Sequence, residues 1–278
     1  MRSAFLRGRE HHRVGGVELV SEEPAAIALS RGGALKTYSH TDPNEDCVAF
    51  ASGAGGYVLV AADGHHGALG SEAGVEAILG EFATSWTAAE APIRPGSHSN
   101  EAWKREGVRA LMCANRAILE VAAQSALPPA PTTFVVALIR PQDDLLLHLS
   151  VGDSHLFAVD RGVALDLGGR RPDWQFTPFL GYEEAREELL DKYALIGTRG
   201  LHDLRALVLA TDGISEPGIG VANPAETVFG AVSQVELDSP PERRATDLCR
   251  SVTETALGAQ RKQRAGDNMA CSVLWLGA

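Results

Sequence analysis

Long apolar runs are missing from this 278-residue chain. Stretches such as 57–62 and 206–210 are far shorter than the roughly 20 residues a membrane span needs, so no membrane partner is expected. The start, MRSAFLRGREHHR, lacks the apolar centre of a secretion signal. Cysteine is scarce: Cys47, Cys113, Cys249 and Cys271 are scattered and form no CxxC pair. That excludes a zinc knuckle and a dense disulfide framework, and a reducing, cytoplasmic setting is expected. Basic charge is also short, with 25 Lys and Arg against 36 Asp and Glu and a net charge of −11. No basic patch offsets this, so a nucleic-acid partner is not expected. The run Arg261, Lys262 and Arg264 sits in a helical pattern and reads as a solvated face. GxxxxGK[ST], HExxH and GxGxxG are all absent. GGALKT (32–37) is too short for a phosphate cradle, and GSEAG (70–74) puts serine in the wrong place for a nucleophile elbow.

What is present is ordinary globular material, 45% apolar and 22% charged, enough for a full core. Residues 1–24 show no clear period and are expected as a loosely patterned arm before one domain over 25–278. Short β-rich runs at 25–29, 34–38, 47–52 and 57–62 follow, the last two forming a hairpin around Gly53–Gly56. Helical spacing of Val75, Ile78, Leu79, Phe82 and Trp86 predicts a helix. A second is predicted over 101–124. Strands are predicted at 132–139, 145–151, 155–159, 204–210 and 269–276, with helices near 183–194, 224–236 and 241–258; 163–181 reads as irregular. This order lacks strict βαβ alternation, so an α+β fold is expected.

Three apolar strands end at an aspartate: YVLVAADG at Asp63, LLLHLSVGD at Asp153 and ALVLATDG at Asp212. Asp267 precedes the last strand, and Glu45 and Asp46 precede the strand at 47–52. Strand ends present side chains from a rigid sheet, so these carboxylates are expected at one rim. Gathered carboxylates repel unless a cation offsets them. Oxygen-only donors suit hard ions, magnesium or manganese. Any one Asp-Gly after a strand is equally a turn signal; the expectation of convergence comes from the repetition.

The ordered strings NED (44–46), DGHHG (63–67), VGDS (151–154), TDG (211–213) and DN (267–268) resemble the metal-dependent protein phosphatases, the type 2C serine/threonine phosphatases, of bacterial single-domain type. The resemblance spans about residues 25–277. It implies a four-layer α-β-β-α sandwich of two antiparallel sheets flanked by helices, with two or more Mg2+ or Mn2+ ions at one end. By this resemblance Asp63 bridges the ions, the Gly64 carbonyl is a further ligand, and Asp212 and Asp267 complete the pair. Asp153 holds a weaker third ion, and Glu45 and Asp46 hold ion-bound waters. Glu216 stands where a second acid is frequent. His65 matches a proposed general acid, an orienting role being the alternative.

The implied reaction is hydrolysis of phosphoserine or phosphothreonine by a metal-activated water. Phosphorylated proteins are then the substrates, with a cognate kinase and a place in signal transduction. Departures point to a rival, a weak or inactive regulatory or binding module on the same fold. Thr41 stands where the family carries a phosphate-gripping arginine, with His40 and Lys36 the nearest cations. His155 follows GDS where arginine is usual, His66 replaces a glycine, and the segment 163–203, where the family often has a flap and a TR-x-LG-like string, matches poorly, reading IGTRG at 196–200.

Overall fold

The computed structural model describes all residues except 37–40, 94, 95, 97, 129, 170–178, 183–188, 191, 192 and 278. Two six-stranded sheets carry the fold. The strands are β1 (Arg2–Arg7), β2 (Glu18–Glu22), β3 (Ala25–Ser30), β4 (Cys47–Gly53), β5 (Gly56–Ala62), β6 (Phe134–Arg140), β7 (Leu145–Val151), β8 (His155–Val159), β9 (Ala164–Asp166), β10 (Leu195–Arg199), β11 (Ala206–Ala210) and β12 (Met269–Trp275). One sheet runs β1-β4-β5-β6-β7-β10 and the other β2-β3-β12-β11-β8-β9, antiparallel throughout. The helices are α1 (Leu69–Glu81), α2 (Ala83–Trp86), α3 (Ser99–Ser125), α4 (Pro224–Asp238) and α5 (Arg244–Gln263).

Side-chain alternation explains the layering. In β4, Cys47, Ala49 and Ala51 face a core shared with α1–α3, while Val48 and Phe50 face the other sheet. In β12, Met269, Cys271 and Val273 pack with α4 and α5, while Ala270 and Leu274 turn inward. Both faces are apolar, so each sheet is covered twice and three cores separate four layers. The α-β-β-α expectation holds. The hairpin also holds, with Gly53 opposite Gly56.

Residues 1–24 differ from expectation. They are no loose arm: β1 pairs along β4 from Arg2 opposite Ser52 to Arg7 opposite Cys47, and β2 pairs along β3. Within 34–38 no strand forms among the described residues; Lys36 makes one isolated bridge to Gly266. β9 forms within the expected irregular segment 163–181, and β10 forms at 195–199, where no element is expected. The expected helix near 183–194 falls largely outside the described residues.

Candidate metal centre

One end of the sandwich collects the acidic strand ends. The end of β5 carries Asp63, and the chain before β4 carries Asp46. Asp153 follows β7, Asp212 follows β11, and Asp267 precedes β12. Backbone bonds fix each support. Thr133 N–H and Thr132 Oγ1–H both donate to the Asp63 carbonyl (2.9 and 2.8 Å). The Glu45 carbonyl accepts from Gly64 N–H and from Ser71 Oγ–H (3.2 and 2.6 Å). Asn268 ties the two sheets together: its Oδ1 accepts from Glu45 N–H at 3.0 Å, and its amide donates to the Arg31 and Pro43 carbonyls. Gly213 sits so close to the next strand that a Cβ would lie 1.8 Å from the Asn268 carbonyl oxygen. Only glycine fits there.

The side chains interact strongly. Asp46 and Asp63 are buried, with exposures of 1% and 7%. Burial first, then the Asp212, Asp46 and Asp267 charges, push the Asp63 pKa well above the ordinary range. Burial and the Asp267, Asp153, Asp46 and Glu216 charges do the same to Asp212. Burial raises Asp46 to about 7, although Lys36 and Thr211 oppose this. Thr211 Oγ1–H donates to Asp46 Oδ2 at 2.7 Å, and the Asp63 carboxyl lies beside it. The other oxygen, Oδ1, is buried with no donor among the described residues. Against these carboxylates stands Lys36, whose Nζ is 3.1 Å from Asp267 Oδ1, both side chains buried. Its pKa is raised: burial opposes the charge, and Asp267, Asp46 and Asp63 outweigh it.

Asp46, Asp63, Asp212 and Asp267 therefore act on one another, and Asp153 and Glu216 act on Asp212. Glu45 serves the loop: its Oε1 accepts from Thr41 and Asp42 N–H (2.9 and 3.1 Å). His65 lies against Phe179, ring centroids 4.6 Å apart, with Nδ1 3.9 Å from Asp63 Oδ2. Burial lowers its pKa, against the opposing pull of Asp153, Asp63 and Glu45. Thr41 presents no cation, and His40 lies outside the described residues. Sequence reasoning missed Thr132, Thr133 and Thr211. Thr211 stood inside the TDG string, whereas Thr132 and Thr133 open the expected 132–139 strand with no acidic neighbour in sequence to mark them.

The donor set fits hard divalent ions in chemistry and charge: buried oxygens, excess negative charge and one orphaned carboxylate oxygen. The carboxylates are not drawn to a point. Among the described residues, no three His, Cys, Asp or Glu side chains form a ready-made ion-binding group.

The sequence profile described as Protein phosphatase 2C matches residues 36–238, and the chain belongs to that family. Solved structures share the fold. A serine-threonine phosphatase 2C from Toxoplasma gondii aligns with TM-score 0.66 at 15% identity, over 94% of this chain and 99% of that one. The serine/threonine phosphatase PstP/Ppp of Mycobacterium tuberculosis aligns with TM-score 0.61 at 18% identity, over 94% and 99%. The catalytic domain of PstP in complex with 2 manganese ions aligns at 20% identity with TM-score 0.61, over 94% and 99%. No curated protein matches the sequence.

Proposed function

We propose that this protein is a Mg2+- or Mn2+-dependent phosphatase of phosphoserine and phosphothreonine in proteins. The observation that carries the reading is the set of buried Asp46, Asp63 and Asp267 and half-buried Asp212 held at one rim with one lysine among them. Burial of so much like charge costs stability and has a chemical purpose when cations are its partners. Family membership and the manganese-bound PstP domain support the same reading.

In this proposal Asp63, Asp212, Asp267 and the Gly64 carbonyl hold two ions, and Asp153 a third. Bound there, the ions lower the pKa of a coordinated water and offset charge on phosphoryl oxygens. Thr132 and Thr133 fix the Asp63 backbone. Thr211 orients Asp46, leaving its second oxygen for an ion-bound water. His65 stands beside Asp63 at the half-open edge, where it meets the leaving serine or threonine oxygen. Burial disfavours its charged form, which suits an orienting role there beside that of general acid. Thr41 supplies no bidentate grip on the phosphate, so weak substrate binding follows. A phosphoprotein substrate implies a kinase that makes it, in the same compartment.

The test is hydrolysis of a phosphothreonine peptide with manganese. Activity is expected in wild type and absent with EDTA or in Asp63→Asn; turnover that survives both changes rules the mechanism out. A second reading, a binding module with little turnover, is favoured by the Lys36–Asp267 ion pair, which places an ammonium on an expected ion ligand. Tight manganese binding with no turnover on any phosphopeptide selects it.

A further inference from the structure

Beside the carboxylates lies a polar chain that the proposed reaction does not use. His155, at the start of β8, has Nδ1 2.6 Å from Asp166 Oδ2 at the end of β9, and Nε2 2.6 Å from Ser215 Oγ. The other Asp166 oxygen accepts N–H from Leu156, Gly168 and Gly169 (3.2, 3.0 and 3.0 Å). Burial opposes the Asp166 charge, but the His155 bond and these amides hold its pKa below the ordinary value. Asp166 is thus an acceptor, so His155 Nδ1 carries a hydrogen and donates to it, while Nε2 and the Ser215 hydroxyl share the second hydrogen bond. The imidazole also stacks on Phe157, interplanar angle 13°.

Ser215 closes the turn that carries Asp212. Its N–H donates to the Asp212 carbonyl at 2.6 Å, as does Glu216 N–H at 2.7 Å, and its hydroxyl donates to the same oxygen at 3.3 Å. We propose that Asp166, His155 and Ser215 form a clamp that fastens the Asp212 turn to the β8–β9 hairpin and so aims the Asp212 carboxylate into the metal centre. All three are positioning residues. The proposal rests on the metal-site reading above.

Serine, histidine and aspartate in this order also have the form of a nucleophile, base and orienting acid. The surroundings favour the clamp. A nucleophilic serine needs nearby free amides to receive an oxyanion, whereas Ser215 N–H and Glu216 N–H are both spent on Asp212.

Three measurements decide. In EDTA, long-range 1H–15N NMR should show a hydrogen on His155 Nδ1, low-field and slowly exchanging, that Asp166→Ala abolishes. Manganese titration by calorimetry should show binding weakened about tenfold in Ser215→Ala and restored in Ser215→Thr. Incubation with a fluorophosphonate should leave Ser215 unmodified. A freely exchanging His155 Nδ1–H, or wild-type manganese affinity in Ser215→Ala, overturns the clamp. Phosphonylation of Ser215, with fluoride leaving and the hydroxyl proton passing to His155, overturns it in favour of a nucleophile. If wild type itself binds no manganese while the His155 signature persists, the metal-site reading fails and the clamp stands as a fastening of the turn.

Discussion

Replacing Asp46 by asparagine should stabilise the metal-free protein at pH 8. Asp46 is buried beside Asp63, with one oxygen on Thr211 and the other without a donor among the described residues. Its pKa stands at about 7 because burial disfavours the charge. Moving a carboxyl there from the ordinary ~3.9 costs about 4 kcal/mol when it is ionised in the fold, at about 1.4 kcal/mol per tenfold in proton affinity. Asparagine removes the charge but keeps a buried polar group, so about half of this should be recovered, about 2 kcal/mol, or a Tm rise of roughly 4 °C or more. The sign has a pH signature. A folded-state pKa raised above the unfolded one lowers stability as pH rises from about 4 to about 7. The advantage of Asp46→Asn should therefore be full at pH 8, shrink as pH falls through 7, and vanish near pH 4. Thermal unfolding in EDTA across that range measures it. A variant less stable than wild type at pH 8, or an advantage constant with pH, refutes the electrostatic account.

Other perturbations should separate in direction. Asp267→Ala removes the carboxylate 3.1 Å from the buried Lys36 ammonium and should destabilise by about 3 kcal/mol, much of it recovered when Lys36→Met is added; urea unfolding of both variants checks this. Gly213→Ala drives a methyl into the Asn268 carbonyl and should cost about 3 kcal/mol in urea unfolding, with manganese affinity falling in parallel. Leu59→Ala empties a position between the two sheets and should cost about 3 kcal/mol in unfolding while leaving manganese affinity at the wild-type level.

The four strands that sequence reasoning missed are the four sheet edges: β1 and β10 of one sheet, β2 and β9 of the other. Inner strands such as β6 and β12 are buried along their whole length and read as continuous apolar runs. An edge strand is paired on one side and half wet, so RSAFLR, ELVSE, ALD and LIGTR show no such run. Register and partner supply their conformation, and neither is visible locally. At the site the difference is similar. Asp63, Asp153, Asp212 and Asp267 announced themselves by repetition at strand ends. Lys36 did not, because its place beside Asp267 depends on the isolated bridge to Gly266, some 230 residues further along the chain. His155 was seen only as a departure from a motif; its two partners become visible when β8, β9 and the turn after β11 come together.

Crystals of the protein soaked in manganese, with anomalous diffraction collected at the metal edge, address the carboxylate rim directly. Peaks bonded to Asp63, Asp212 and Asp267, with Lys36 released from Asp267, are the predicted result. A map without a peak between those side chains, or with Lys36 still seated on Asp267 at saturating manganese, contradicts a two-ion centre.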